Sequence, residues 1–315
     1  VSRHWSALSE RGSLMGMLSL LWIYRLLGRR VLWLFLAPVV FYFFTTSAER
    51  RRSSQQFLRR VSDYNHKQKA PSRWCSLKHY CVFADSAFDK IDAWLGRIRQ
   101  SQICYQNKDD FDRLQRTGKG AVFIGSHLGN LEVCRALSQG KYATRINVLV
   151  FTANAVKFNQ LLHKINPNVS MDMIQVSEAS PALLMMLKER VEQGEFVVIV
   201  GDRTSISVAG RVCYADFMGQ PAPFSQGPFI LASLLECPVY LLFCLKQQQY
   251  YRVIFEPFAP EGLMLPRKQR QARLEQFIQS YAQRLAYWAA QYPLQWFNFY
   301  DFWQQDESVS RQFQE

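Results

Sequence analysis

From about residue 109 onward, apolar runs of strand length alternate with amphipathic stretches of helical period, and this alternation most limits the folds open to the chain. Strands are expected at 121–125, 146–151, 196–200, 239–245 and 251–255. Helices are expected at 130–138, 154–165, 180–192, 225–236 and 268–290. That order predicts an α/β fold with a central, mainly parallel or mixed sheet flanked by helices. Nearly half of the 315 residues are apolar, ample for a sizeable core.

The amino-terminal region reads differently. Leu14 to Leu27 and Val31 to Phe44 are apolar runs separated by Gly28, Arg29 and Arg30, with Arg25 in the first and Pro38 in the second. Neither alone reaches the roughly 20 residues that cross a bilayer as a straight helix. One long helix with its arginines reaching toward the headgroups, two short helices dipping into one leaflet, and a buried hairpin of a soluble protein all fit the pattern. A secretory signal does not, because no single apolar run ends in a small-residue cleavage site. Arg50-Arg51-Arg52 and Arg59-Arg60 follow directly, and the positive-inside tendency keeps such a run cytoplasmic. Membrane attachment is the favoured reading. The expected organisation is a membrane-associating helical segment over 1–47, a helical connector over 48–108, an α/β core over 109–303 and a tail over 304–315.

Charge and cysteine usage narrow the function. The chain has 38 basic against 25 acidic residues, and residues 1–70 hold twelve of the basic and three of the acidic ones. This basic pole suits anionic lipid headgroups or an acidic protein surface. Elsewhere the basic residues are dispersed in no recognisable nucleic-acid module, so nucleic-acid binding has no support. The seven cysteines are scattered through apolar runs and read as reduced core residues. Cys75 and Cys81 flank His79, but the spacing is poor for zinc and no second pair follows, so no metal is expected.

Three clusters can carry chemistry. His127 follows the strand at 121–125 in Gly-Ser-His-Leu-Gly-Asn, where a loop side chain on a rigid support faces a cleft. Glu132, five residues on, is expected to bond the second ring nitrogen and support an imidazolium, with Asn130 capping the helix between them. Asp202 and Arg203 end the strand at 196–200, and a guanidinium there suits a phosphate. The segment Phe217-Met-Gly-Gln-Pro-Ala-Pro-Phe-Ser225-Gln226-Gly227-Pro reads as a turn opening a helix, whose first N–H groups can bind an anion or a developing oxyanion. Cys134 lies in the helical register of Leu131 and Ala136 and reads as core rather than as a nucleophile.

Together with the closing Tyr292-Pro-x-Gln295-Trp296-x-Asn298-x-Tyr300-Asp-Phe-Trp303, these segments resemble the bacterial late acyltransferases of lipid A biosynthesis, within the wider glycerolipid and lysophospholipid acyltransferases. The resemblance runs from the amino-terminal hydrophobic segment to about residue 303. It implies an inner-membrane enzyme on the cytoplasmic face that moves a fatty acyl group from an acyl carrier protein or CoA thioester to a lipid hydroxyl, with no bound cofactor. Its partners would be the carrier and membrane lipids; oligomeric state is left open. His127 would match the general base and Glu132 its carboxylate partner. Asp202 and Arg203 would match the second motif, which holds the acceptor or organises the site, and Ser225, Gln226 and Gly227 lie where relatives have the third. The third segment lacks the acidic Pro-Glu-Gly form that goes with glycerol phosphate. His4-Trp5, Glu10-Arg11-Gly12 and the short charged tail look more like a branch found beside aryl-polyene or polyketide-type lipid genes. A glycyl donor and a non-catalytic scaffold of the same fold are the competing readings.

Overall fold

The computed structural model describes residues 14–66, 71–138, 145–150, 173–175, 180–204 and 212–303. The expected helix at 154–165, the opening motif at residues 4–12 and the tail at 304–315 lie outside them.

The chain is α/β. Nine strands are described: β1 (Ile103–Gln106), β2 (Ala121–Gly125), β3 (Ile146–Val150), β4 (Met173–Gln175), β5 (Phe196–Val200), β6 (Val212–Phe217), β7 (Gln220–Ser225), β8 (Val239–Gln247) and β9 (Tyr250–Ala259). Seven form one mixed sheet in the order β1-β9-β8-β2-β5-β3-β4. Strands β8, β2, β5, β3 and β4 run parallel to one another, while β9 is antiparallel to β8 and carries β1 parallel to itself. The two central strands, β2 and β5, pair from Ala121 with Phe196 to Gly125 with Val200.

Alternation along these strands builds two cores, because successive side chains leave opposite faces. Val122, Ile124, Val197, Ile199 and Leu241 pack on one face, and Ala121, Phe123, Phe196, Val198 and Leu242 on the other. The first face is covered by α6 (Pro181–Glu192), α7 (Gly227–Leu235) and α8 (Arg270–Gln291), the second by α4 (Lys108–Arg116) and α5 (Leu131–Ser138). Two expectations need correction. Residues 103–106, read as helical connector, form an edge strand. Gln220–Ser225, read as a turn, is a strand of the β6–β7 hairpin, and only Met218 and Gly219 turn the chain. Pro221 and Pro223 alternate, so both ring nitrogens leave the same edge and cost no ladder bond.

The amino-terminal helix α1 (Leu14–Thr46) breaks at Gly28, whose φ of 76° and ψ of 179° leave the helical region. One side of it packs on α3 (Arg73–Trp94) through Leu21, Tyr24, Leu32, Leu36 and Val40. The other side leaves Trp22, Leu26, Leu34, Phe41 and Tyr42 exposed. Only 17% of its most apolar stretch is buried, so this is not the covered hairpin of a soluble core, and it is long and apolar enough to cross a membrane. The arginine at the kink does not reach toward headgroups. Arg29 binds Asp85 at 2.6 Å and Asp89 at 2.7 Å on α3, and Lys246 of β8 meets the same carboxylates at 3.1 and 2.7 Å. From α2 (Ala48–Tyr64), Arg51 donates to the carbonyls of Phe44 and Thr45 and so satisfies the end of α1.

Candidate active site

The site forms at the carboxyl ends of β2 and β5, where a parallel sheet opens its crevice. These strands keep one register, with each β2 residue opposite the β5 residue 75 positions later, and the same offset sets His127 beside Asp202. His127 Nδ1 lies 2.7 Å from Asp202 Oδ1, and the His127 backbone N–H donates to Oδ2 at 2.9 Å. Trp296 Nε1 and Asn298 Nδ2 also donate to Oδ2, at 2.9 and 3.2 Å. Burial alone would push the Asp202 carboxyl up, but the His127 ring and backbone N–H and the Arg203 guanidinium hold it below its ordinary value. An ionised Asp202 can only accept, so Nδ1 carries the ring proton and Nε2 presents a lone pair. Nε2 has no hydrogen-bond partner among the described residues, and the side chain is 27% exposed while Asp202 is fully buried. Burial pushes His127 below its ordinary value, and the neighbouring positive charge of Arg203 adds to the effect. The imidazole is therefore neutral at pH 7.

This corrects the assignment of Glu132 as the partner of His127. Glu132 sits in the first turn of α5 and turns its Oε2 to the Trp94 indole N–H of α3, at 3.1 Å. Asn130 does not cap α5 through its side chain either. Its Nδ2 donates to the Ser86 carbonyl at 3.0 Å, and its buried Oδ1 has no hydrogen-bond partner among the described residues. Arg203 is oriented by Asn298, whose Oδ1 accepts its Nε at 3.1 Å. Among the described residues, the third segment makes no hydrogen bond to the pair. The Gly227 N–H is taken by Ser225 Oγ at 3.3 Å, Gln226 donates to the Val212 carbonyl at 3.4 Å, and no hydrogen bond links the three to His127 or Asp202 among the described residues.

The closing segment clamps the histidine loop as a strand would. The Phe297 N–H donates to the His127 carbonyl at 3.0 Å, and the Gly129 N–H to the Gln295 carbonyl at 2.8 Å. Gln295 also exchanges two bonds with the backbone of Lys246, at 2.9 and 2.7 Å. Behind it, His79 is fully buried and pushed down to about 4 by burial, so it stays neutral; its Nε2 donates to the Trp296 carbonyl at 3.0 Å and its Nδ1 accepts from Ser54 at 3.0 Å. Both ring nitrogens are thus engaged, Nε2 on Trp296 and Nδ1 on Ser54. Sequence reasoning placed Trp296 and Asn298 only in a closing motif; their polar side chains amid aromatic neighbours were the available signal.

The chain matches, over residues 14–305, the family described as bacterial lipid A biosynthesis acyltransferase. It belongs to that family. A comparison with curated proteins finds no match. This acyltransferase is accordingly of the lipid A type and membrane-associated, and α1 is the element able to hold it there.

Gly129 is indispensable to its histidine loop. With φ at 76°, the residue passes so close to β8 that a Cβ would lie 2.0 Å from the Cys244 carbonyl oxygen. Gly129→Ala combines left-handed strain with a backbone overlap and is expected to destabilise the acyltransferase by about 3 kcal/mol. Thermal unfolding of the detergent-solubilised protein checks this; an unchanged midpoint would contradict the close approach.

Proposed function

We propose that this acyltransferase moves a fatty acyl group from an acyl carrier protein or CoA thioester to a hydroxyl of a lipid acceptor, on the cytoplasmic face of the bacterial inner membrane, with His127 as general base. The neutral Nε2 of His127, fixed in tautomer by buried Asp202 and open at the sheet edge, carries the reading.

The reaction runs in one complex of enzyme, donor and acceptor. Nε2 takes the hydroxyl proton as the oxygen attacks the thioester carbonyl, and Asp202 stabilises the imidazolium through Nδ1. The tetrahedral intermediate collapses with loss of the thiolate, which takes the proton back from His127. Arg203, held through Asn298, contributes positive charge beside the ring and a fork suited to a phosphate on the acceptor. The exposed apolar side of α1 keeps the enzyme at the bilayer, where a lipid hydroxyl is found. The basic pole would attract the acidic surface of a carrier protein.

Purified acyltransferase incubated with isotopically labelled acyl carrier thioester and a total lipid extract tests the proposal. A lipid that gains the labelled acyl group in place of one hydroxyl hydrogen is the expected product. Free labelled fatty acid alone, or a glycyl increment from a glycyl carrier, would refute it. A pH profile gives a second check. The base works when neutral and its pKa lies below the ordinary 6.5 or so, so kcat/KM should fall as pH drops through a limb centred below about 6.5. A limb centred above neutrality would remove His127 from this role.

A further inference from the structure

Once Asp202 is the partner of His127, the carboxylate of Glu132 is left with a different task, and α3 shows what it faces. Ser86, Lys90 and Trp94 stand one turn apart on one side of that helix. The residues flanking Lys90 both bind the loop and helix that follow His127: the Ser86 carbonyl accepts from Asn130 Nδ2 at 3.0 Å, and Trp94 Nε1 donates to Glu132 Oε2 at 3.1 Å. The lysine between them therefore lies on the face of α3 that packs against the segment from His127 to Glu132. Charge coupling agrees with this placement. Burial pushes the Lys90 ammonium below its ordinary value and the positive charge of Arg203 adds to this, while the Glu132 carboxylate opposes it; the Lys90 charge in turn lowers His127. The first turn of α5 adds the positive end of a helix, and Asn130 Oδ1, without a hydrogen-bond partner among the described residues, adds a buried acceptor beside it.

We propose that Lys90 is a further catalytic residue: its ammonium, positioned by Glu132, receives the oxyanion that forms on the thioester carbonyl when His127 activates the acceptor. The inference rests on His127 acting as the base. As the acceptor oxygen bonds to the carbonyl carbon, the π electrons of C=O move to oxygen beside the ammonium. When the C=O re-forms, the C–S bond breaks and the sulfur leaves with the proton that His127 returns. Glu132 does not touch the reacting atoms. It is a positioning residue that acts through Lys90, so the acidic member of His-x4-Glu supports the electrophilic half of the site and Asp202 supports the basic half.

The test compares Lys90→Gln, Lys90→Arg, Glu132→Gln and the double variant Lys90→Gln/Glu132→Gln, in full-length protein with acyl carrier thioester and the acceptor identified by mass. Rates are counted per folded molecule by tryptophan emission. Lys90→Gln should lower kcat about 100-fold, the cost of one oxyanion donor, with KM for both substrates within about threefold of native. Lys90→Arg, which keeps the charge, should recover about tenfold of that loss. Glu132→Gln should lower kcat about tenfold alone and add nothing in the Lys90→Gln background, because residues acting as one unit are not additive. A Lys90→Gln enzyme with native kcat, a Lys90→Arg enzyme no better than Lys90→Gln, or a full additional loss from Glu132→Gln in the double variant would overturn the proposal. His127→Ala is run beside them. If it transfers normally, the base assignment and this inference fall together; if it is inactive while Lys90→Gln is normal, only the role of Lys90 falls.

Discussion

Replacing Asp202 with Asn is expected to lower kcat by about 10⁴-fold while leaving the chain able to bind membranes. The size follows from the tautomer. Asp202 accepts four donors, namely the His127 ring and backbone N–H, the Trp296 indole and the Asn298 amide. An asparagine has one acceptor oxygen. If its amide nitrogen faces His127 Nδ1, the ring must accept there and carry its proton on Nε2, which can no longer take one from a hydroxyl. If it faces Trp296, Asn298 and the His127 backbone N–H instead, three donors lose a partner at about 1–3 kcal/mol each, and the ring keeps the useful tautomer but loses its countercharge. Steady-state kinetics with ¹⁵N spectra of the imidazole separate these cases. An Asp202→Asn enzyme within tenfold or so of native kcat would show that the buried carboxylate is not coupled to the chemistry.

The second large effect is that of His127→Ala, expected to reduce transfer by about 10³ to 10⁴-fold. Among the described residues the ring makes one side-chain hydrogen bond, to Asp202, and it is partly exposed, so its loss removes little packing. The backbone contacts of residue 127 to Asp202 and Phe297 need no side chain and should persist. Binding to vesicles should be unchanged because α1, not the loop, carries the exposed apolar surface. Activity is read by product mass and attachment by flotation with vesicles. Near-native transfer by the variant would sink the base assignment; lost flotation would show that the loop supports the anchor.

Much of the fold was legible because the central strands obey simple patterns. The strands expected at 121–125 and 196–200 end where they were expected, and α6 and α8 fall within two residues of theirs. Those segments are long or uniformly apolar. The four residues of β1 carry no such pattern, since an edge strand borrows its order from the neighbour it pairs with. The hairpin strand Gln220–Ser225 was hidden because prolines mark turns far more often than strands, and only partner geometry reveals that both fall on the free edge. At the site, His127 could be picked out by its position after a strand. Its carboxylate partner could not be read from spacing along the chain. Glu132 is near in sequence, yet α5 turns it toward Trp94, whereas Asp202 is 75 residues away and is made adjacent by strand register alone. Lys90 was invisible for the same reason: a single lysine on an otherwise ordinary helix gains meaning only from what α3 packs against.

The ion cluster around Arg29 has a mechanical consequence. A catalytic domain on a slack tether samples many heights and tilts over a bilayer and can wait for acceptors of different reach. Here the break in α1 is bolted, through Arg29, Asp85, Asp89 and Lys246, to the strand whose Cys244 carbonyl receives Asn130 in the histidine loop. Anchor and loop are mounted on one frame. With a lipid hydroxyl as the proposed acceptor, such a mounting would set one height above the bilayer at which His127 works, and the expected selectivity is for lipids that carry the hydroxyl at that height.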